Sequence, residues 1–448
     1  MRGRHKRISV GTIVMTLAAA IVLFCAIWMI LAMRNPEENL SMDAGRLVSS
    51  IGELAAVSRP NAAQNLPSGA ARITAAPQRT AVPTAQPVQP SAAPQQPAAV
   101  QATQPASDIR TLTLTIGGEI TFDSEAIDGT LNTATGQYNL PETLQAIRPE
   151  MRADVGLALM HALPVMNEAN GRAAEQAAAA IHDAGFQYVL LNSENALDTG
   201  ENGVSRMLSA LQSADVAAAG LRAPSDAQTV QTINIRGITI AVLTYTDTLS
   251  ADSKKAVADT AVRERMVTLF DAERAQQDIR AAREGGADIV LAAMHWGGKN
   301  DTAPTAAQRT AAQALCEAGA DIIIGAHSNA VQPVEYLTSA QDPAHRTLVA
   351  WSMGTLLSAS RANREVVSGM LLHLTLTYDM QQKALSFASV QYTPTYCWGQ
   401  KTDTLYQYRV VCSGGAAPDS MIQKQRDIMG RALKLIQDTM AKGVALQR

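Results

Sequence analysis

The sequence predicts a layered α/β domain that follows a membrane anchor and a disordered linker. After residue 108, short apolar runs typical of buried strands alternate with segments of helical length. Alternating patterns near residues 231–245, 346–352 and 368–393 predict hairpins, and hairpins within such an alternation indicate mixed sheets. The first 108 residues differ in composition from the rest and are predicted to lie outside the domain.

The first 33 residues predict a single-pass anchor in the cell membrane. Residues 1–7 (MRGRHKR) are a basic tail, and residues 8–33 contain no charged side chain. This run is longer than the apolar part of a signal peptide and long enough to span a bilayer. The preceding basic residues place the N-terminus in the cytoplasm and the rest of the chain outside. A cleaved signal peptide is the alternative, but no clear small-residue cleavage site follows the run.

Residues 34–108 are predicted to be a juxtamembrane segment and a linker. A short helix fits residues 37–57, whereas residues 58–108 are rich in Pro, Ala and Gln and almost lack large apolar side chains. Such a segment cannot bury enough surface to offset its ordering entropy. A flexible chain of this length has a typical span of about 40 Å.

Residues 109–400 predict the α/β domain itself. Buried strands are expected at 155–160, 188–191, 288–294 and 321–324, and a hairpin is expected to turn at Arg236–Gly237. Helices are expected at 171–185 and 304–319, because each pattern ends at a glycine and the second begins at a proline. Residues 401–448 are predicted to be a C-terminal extension with a helix near 418–442.

Composition excludes several classes of function. The formal net charge of −3 gives no basic signal for a nucleic-acid partner, and no phosphate-binding glycine loop or nucleophile elbow occurs. The chain contains four cysteines, too few for a disulfide scaffold. Cys397 and Cys412 are nevertheless predicted to form one disulfide, because the segment between them is able to turn back as a hairpin outside the membrane.

Several sequence blocks resemble one known family. HWGGKNDTAPTAAQRTAAQALCEAGADIIIGAHSNAVQPVEYL at 295–337 resembles the CapA family of capsule synthesis, also called the PgsA-like family of poly-γ-glutamate synthesis. NSENALDTGENGV at 192–204, AWSMGTLL at 350–357 and TIGGEITF at 115–122 resemble further blocks of that family in the same order. The resemblance covers residues 109–400 and places the chain in the calcineurin-like metallophosphoesterase superfamily.

The resemblance implies a four-layer α/β/β/α sandwich. It also implies a centre of divalent metal ions, held by Asp, His, Asn and Glu side chains at strand ends, that activates a water molecule. Ligands of this kind must converge from several loops, and each metal ion needs about three or more of them.

This sequence departs from the family at most of the implied ligand positions. His295 and His327 are kept, but Lys299 stands where the family has an acidic residue. At the other positions, Glu119 replaces an Asp of the family, and Leu159–Met160–His161 replaces Asn-Leu-Glu. Glu194 and Asn195 replace Asn and His, respectively. Asn329 replaces the second His of the HPH block, and Thr355 replaces an Asn.

These departures predict a degenerate site that binds divalent metal ions weakly or not at all. The positive charge of Lys299 would oppose a cation nearby. The remaining catalytic candidates are His295, His327 and Asn195. The remaining metal candidates are Glu119, His161, Glu194, His295, His327 and Asn329.

Three functions stay open at this point. The preferred hypothesis is an extracytoplasmic accessory or polymer-handling protein of capsule or poly-γ-glutamate synthesis, with an anionic polymer and capsule-synthesis membrane subunits as partners. The second is an active metal-dependent hydrolase or phosphoesterase of the cell envelope. The third is a non-catalytic module that binds a cell-wall ligand or acts as a scaffold.

Overall fold

The computed structural model describes residues 108–132, 135–161, 163, 168–226, 230–360, 363, 366–402 and 405–443. The predicted anchor and nearly all of the predicted linker lie outside these residues. Within the described ranges, no helix is both long enough and apolar enough to cross a membrane.

The described residues form the elements used below. The strands are β1 (Ile109–Ile120), β2 (Leu131–Asn132), β3 (Gln137–Tyr138), β4 (Val155–Met160), β5 (Tyr188–Leu190), β6 (Ala217–Ala219), β7 (Gln231–Ile235), β8 (Ile238–Thr246), β9 (Ile289–His295), β10 (Ile322–Ala326), β11 (Val334–Thr338), β12 (Arg346–Ala350), β13 (Thr355–Leu357), β14 (Gly369–Asp379), β15 (Ala384–Lys401) and β16 (Tyr406–Cys412). The α-helices are α1 (Ser124–Asp128), α2 (Glu168–Ala184), α3 (Gly200–Ser213), α4 (Ala251–Ala256), α5 (Thr260–Met266), α6 (Ala272–Glu284), α7 (Ala306–Ala318) and α8 (Gln423–Met440), and two short 3₁₀ helices span Leu140–Thr143 and Gln145–Glu150.

Two mixed sheets form the centre of the domain. The first has the order β16-β15-β14-β1-β4-β5-β6, with β13 also paired to β1, and its strands β1, β4, β5 and β6 run parallel. The second has the order β11-β12-β10-β9-β8-β7, and its strands β8, β9, β10 and β12 run parallel. The predicted mixed α/β architecture is therefore confirmed.

Three apolar clusters show how the layers are packed. One lies between the first sheet and the helices α2 and α3. The second contains side chains of both sheets, and the third lies between the second sheet and the helices α6 and α7. Strands β9 and β10 have every residue buried because apolar clusters cover both of their faces. The order of layers is helices, sheet, sheet and helices, as the resemblance implied.

Local sequence signals were reliable for the regular elements. The hairpin between β7 and β8 turns at Arg236 and Gly237, which have φ angles of 52° and 79°. Helix α7 begins after Thr305, which forms a reciprocal capping box with Gln308, and it ends at Gly319 with a φ of 96°. The helix therefore starts two residues after the predicted Pro304.

The segment predicted as a C-terminal extension is part of the domain. Strand β16 pairs with β15 along its whole length and closes one edge of the first sheet. Helix α8 buries Ile436 and Met440 in the core between the sheets. Its first turn is held by Trp398, whose Nε1 donates to Oε1 of Gln425 at 2.8 Å.

The predicted disulfide is not formed, and the strand register explains why. The predicted hairpin exists, but Cys397 pairs with Val410 and Cys412 pairs with Thr395. The two cysteines are therefore diagonal neighbours, and such neighbours are about 7–8 Å apart, beyond the usual Cα separation of disulfide-linked residues. Neither thiol takes part in a disulfide, and Sγ of Cys397 donates to the carbonyl oxygen of Ser358 at 3.3 Å.

Candidate functional site

Polar side chains from both sheets meet at the carboxyl ends of parallel strands. Glu119 lies near the end of β1, His161 directly follows β4, His295 ends β9 and His327 directly follows β10. Side chains at these strand ends share one edge of the layered domain, which is where α/β proteins place their ligands. Asn192 joins the two sheets at this edge, because its buried amide donates to the carbonyl oxygen of Tyr245 at 3.0 Å.

Glu119, His161 and His295 form the centre of the site. One ligand atom from each of these residues lies within 4.8 Å of the others. Oε1 of Glu119 lies 3.1 Å from Nε2 of His161 and 3.5 Å from Nε2 of His295. Glu119 and His295 are each only 2% exposed, whereas the side chain of His161 is 24% exposed.

A hydroxyl group orients His161 toward this centre. Oγ of Ser193 lies 3.2 Å from Nδ1 of His161, on the opposite side of the ring from Glu119. Ser193 is fully buried and also accepts the backbone N–H of Asn195 at 3.0 Å. A histidine that binds a metal ion through one nitrogen commonly has its other nitrogen held by such a partner.

The three donors fit a divalent metal ion. Nε2 of His295 is buried and forms no hydrogen bond of good geometry, although Oε1 of Glu119 lies 3.5 Å away, and such a polar atom is costly in a protein interior. One carboxylate and two imidazoles make up a ligand set that zinc and similar ions accept. A metal ion bound by these three residues would satisfy the orphaned nitrogen.

A second group of polar side chains lies beside the first. The rings of His295 and His327 have their centres 4.6 Å apart, and Nδ1 of His327 lies 4.0 Å from Oε1 of Glu194. The same Glu194 oxygen lies 3.1 Å from Nζ of Lys299. The backbone of His327 has a φ of 93°, an uncommon angle for a residue with a side chain and one often found at functional sites.

The charges in the site influence one another. Burial opposes ionisation of Glu119, but His161 and His295 hold the pKa of this carboxyl well below its usual range. Burial favours the neutral form of His161, yet the Glu119 carboxylate raises the pKa of this imidazole. Burial together with His295 lowers the pKa of His327 to about 4, so His327 is neutral at pH 7.

The other two predicted residues, Asn195 and Asn329, form hydrogen bonds within the loops at this edge. The amide of Asn195 donates to Oδ2 of Asp198 at 2.9 Å, within the loop that follows β5. Asn329 has a φ of 60°, and its carbonyl oxygen accepts a hydrogen bond from Oγ1 of Thr355 at 3.1 Å. Both residues stabilise the loops that carry Glu194 and His327.

Asp247 is a residue near the site that the sequence interpretation missed. It follows β8, its backbone N–H donates to the carbonyl oxygen of His295 at 3.0 Å, and its carboxylate accepts the backbone N–H of Gly297. Burial raises the pKa of Asp247 above its ordinary value. The signal was present, because an acidic residue directly after the buried strand at 238–246 occupies the same edge as His161 and His295.

Comparisons with known proteins identify the relatives of this chain. A family model described as bacterial capsule synthesis protein PGA_cap matches residues 113–360, which is more than half of the chain. The PGA biosynthesis protein CapA of Bacillus subtilis (strain 168) is 31% identical over 176 residues, covering 38% of this chain and 43% of the relative. The capsule biosynthesis protein CapA of Bacillus anthracis is 29% identical over 203 residues, covering 44% and 45% respectively. The chain thus matches less than half the length of each relative.

Solved structures show more distant similarity. The NAD nucleotidase NadN of Haemophilus influenzae aligns with 76% of this chain and 57% of its own at 11% identity and a TM-score of 0.39. A phosphatase of Mycoplasma pneumoniae aligns with 64% of this chain and 94% of its own at 10% identity and a TM-score of 0.38. The sulfate thiohydrolase SoxB of Thermus thermophilus aligns with 66% of this chain and 47% of its own, at 14% identity and a TM-score of 0.37.

Proposed function

The chain belongs to the bacterial capsule synthesis family PGA_cap, and from this premise we propose that it is a polymer-handling protein of capsule biosynthesis. We propose further that the domain binds one divalent metal ion through Glu119, His161 and His295 at the carboxyl ends of the parallel strands. The convergence of these three donors, of which Glu119 and His295 are buried, carries the proposal. The departures from the family pattern alone predicted weak or absent binding of divalent metal ions, and the affinity proposed here is higher.

The number of ligands supports a site that is open to a further partner. Three protein ligands leave at least one coordination position free, as in zinc sites that bind a substrate or water. The metal ion would supply a Lewis-acidic contact for an anionic oxygen. The buried Glu119 and His295 would hold the metal ion on the inner side of the site. Ser193 would keep His161 in the orientation that directs Nε2 toward the metal ion.

The names of the relatives support an anionic polymer as the ligand. The two Bacillus proteins are described as acting in PGA and in capsule biosynthesis. Poly-γ-glutamate carries a carboxylate on every residue, and carboxylate oxygen is an accepted ligand of divalent metal ions. We therefore propose that polymer carboxylates approach the metal ion from the side of the site on which the exposed Lys299 lies.

Metal content and polymer binding test this proposal together. The detergent-solubilised full chain should contain about one equivalent of divalent metal ion per chain, measured by elemental analysis after gel filtration. Its retention on immobilised poly-γ-glutamate should fall several-fold when a chelator removes the metal ion and return when Zn²⁺ is restored. Metal-free protein that binds the polymer equally well would contradict the proposal.

A metal-dependent hydrolase is the second candidate. It is favoured by the combination of an open metal position with a second imidazole beside it, because the ring centres of His295 and His327 are 4.6 Å apart and histidine is the commonest general acid or base. Assays with a phosphodiester and with poly-γ-glutamate separate the two candidates. A polymer-handling protein should show no turnover above a chelated control, whereas a hydrolase should show turnover that is lost in His327→Ala.

We also propose that residues 8–33 anchor the protein in the cell membrane with the domain outside, where membrane subunits of capsule synthesis are accessible. The uncharged run and its basic flank support this topology. Protease added to intact spheroplasts should digest the domain and leave a short membrane-held fragment. Complete protection of the domain, with digestion only after the cells are lysed, would refute it.

A further inference from the structure

The second polar group in the cleft carries an unusual charge arrangement. Glu194 and His327, whose side chains are 18% and 14% exposed, lie beside the centre formed by Glu119, His161 and His295. A carboxylate oxygen and an imidazole nitrogen 4.0 Å apart resemble an incomplete set of metal ligands. The ammonium of Lys299 contacts this pair, with Nζ 3.1 Å from Oε1 of Glu194.

The loop that carries Lys299 is fixed to its surroundings. The backbone N–H of Asn300 donates to the carbonyl oxygen of Ser328 at 2.6 Å, which joins this loop to the one that carries His327. The amide of Gln332 donates to the carbonyl oxygens of Asp301 and Ala303 at 3.0 and 3.1 Å. These bonds hold the backbone of Lys299 near Glu194 and His327, although 62% of the Lys299 side chain is exposed.

Lys299 satisfies the charge that would otherwise attract a second metal ion. Nζ of Lys299 lies 3.1 Å from Oε1 of Glu194, so the ammonium and the carboxylate form a salt bridge. A divalent ion bound to Glu194 and His327 would lie within a few ångströms of the ammonium. Like charges at such a distance repel strongly in the partly screened environment of a protein surface.

On the basis of the proposed metal-binding function, we propose that the ammonium of Lys299 takes the place of a second metal ion beside Glu194 and His327. Lys299 thereby limits the protein to one metal ion. Glu194 and His327 then form a second site that is closed by a side chain of the same protein. Removing the positive charge should open that site, and keeping the charge in another form should leave it closed.

Zn²⁺ titration of the full chain in detergent tests this inference. Lys299→Met removes the charge and keeps most of the aliphatic stem, whereas Lys299→Arg keeps the charge and serves as the matched control. Lys299→Met should bind one more Zn²⁺ per chain than the wild type, with an affinity at least about tenfold above any second binding event in the wild type. Lys299→Arg should match the wild type, and Lys299→Met combined with Glu194→Gln should lose the additional equivalent.

The outcomes separate this inference from the proposed function. If Lys299→Met gains no equivalent, or if the gain persists when Glu194 is replaced, the role assigned to Lys299 is wrong. Binding of the first equivalent of Zn²⁺ by the wild type tests a different claim, the metal centre of Glu119, His161 and His295. A wild type without Zn²⁺, together with a Lys299→Met variant that gains one Glu194-dependent ion, would refute the metal centre and leave the inference about Lys299 standing.

Discussion

Replacing His295 by alanine should reduce the affinity for the divalent metal ion by roughly 100-fold or more. Loss of a residue that only orients a metal ligand already costs about 10–100-fold, and loss of a ligand should cost at least as much. His295 is one of three donors, and its buried Nε2 forms no hydrogen bond. Isothermal titration with Zn²⁺ measures the change. Ser193→Ala should give a smaller loss, because it removes only the hydroxyl that orients His161.

His182→Ala is the matched control for this experiment. His182 lies in the last turn of α2 and has an exposed side chain, with Nδ1 3.6 Å from Oδ1 of Asp183. This variant should bind the metal ion like the wild type, which excludes adventitious histidine binding as the source of the signal. Circular dichroism should confirm that His295→Ala remains folded. Unchanged Zn²⁺ affinity in a folded His295→Ala protein would eliminate the proposed centre.

Gly325→Ala should destabilise the domain by about 3 kcal/mol or more, with a fall in melting temperature of about 6–12 °C. Gly325 lies in β10, where an added Cβ would be 2.0 Å from the carbonyl oxygen of Trp351 and 2.5 Å from Nε1 of Trp296. These two groups form a buried hydrogen bond of 3.0 Å, and the two indole rings are stacked. Backbone and indole atoms at such distances must move, so the cost exceeds that of an ordinary core substitution.

Gly430→Ala provides the control for the loss of a glycine. Gly430 is exposed in helix α8, and an added Cβ would have no neighbour within 4 Å. This variant should be more stable by about 0.5–1 kcal/mol, because alanine favours the helix. Thermal unfolding of both variants measures the contrast. A Gly325→Ala protein that melts with the wild type would show that the close contact at β10 is easily relieved.

Local sequence patterns predicted the regular elements of this domain because those elements depend on short-range signals. The apolar run at 155–160 became β4, the capping residues around 305–319 bounded α7, and the Arg236–Gly237 pair formed its hairpin turn. The family membership was also visible in sequence, because its blocks occur in order along the chain. Each of these features is encoded within a few neighbouring residues or one continuous segment.

The sequence by itself determined which polar residues stand at the strand ends, but only the tertiary structure decided which of them meet. Glu119, His161 and His295 are far apart along the chain and come together because β1 and β4 of one sheet end beside β9 of the other. Pairing register decided against the Cys397–Cys412 disulfide, and the orientation of Asn195 toward Asp198 removed that residue from the site. Such outcomes depend on long-range packing of two sheets, which no local pattern of residues encodes.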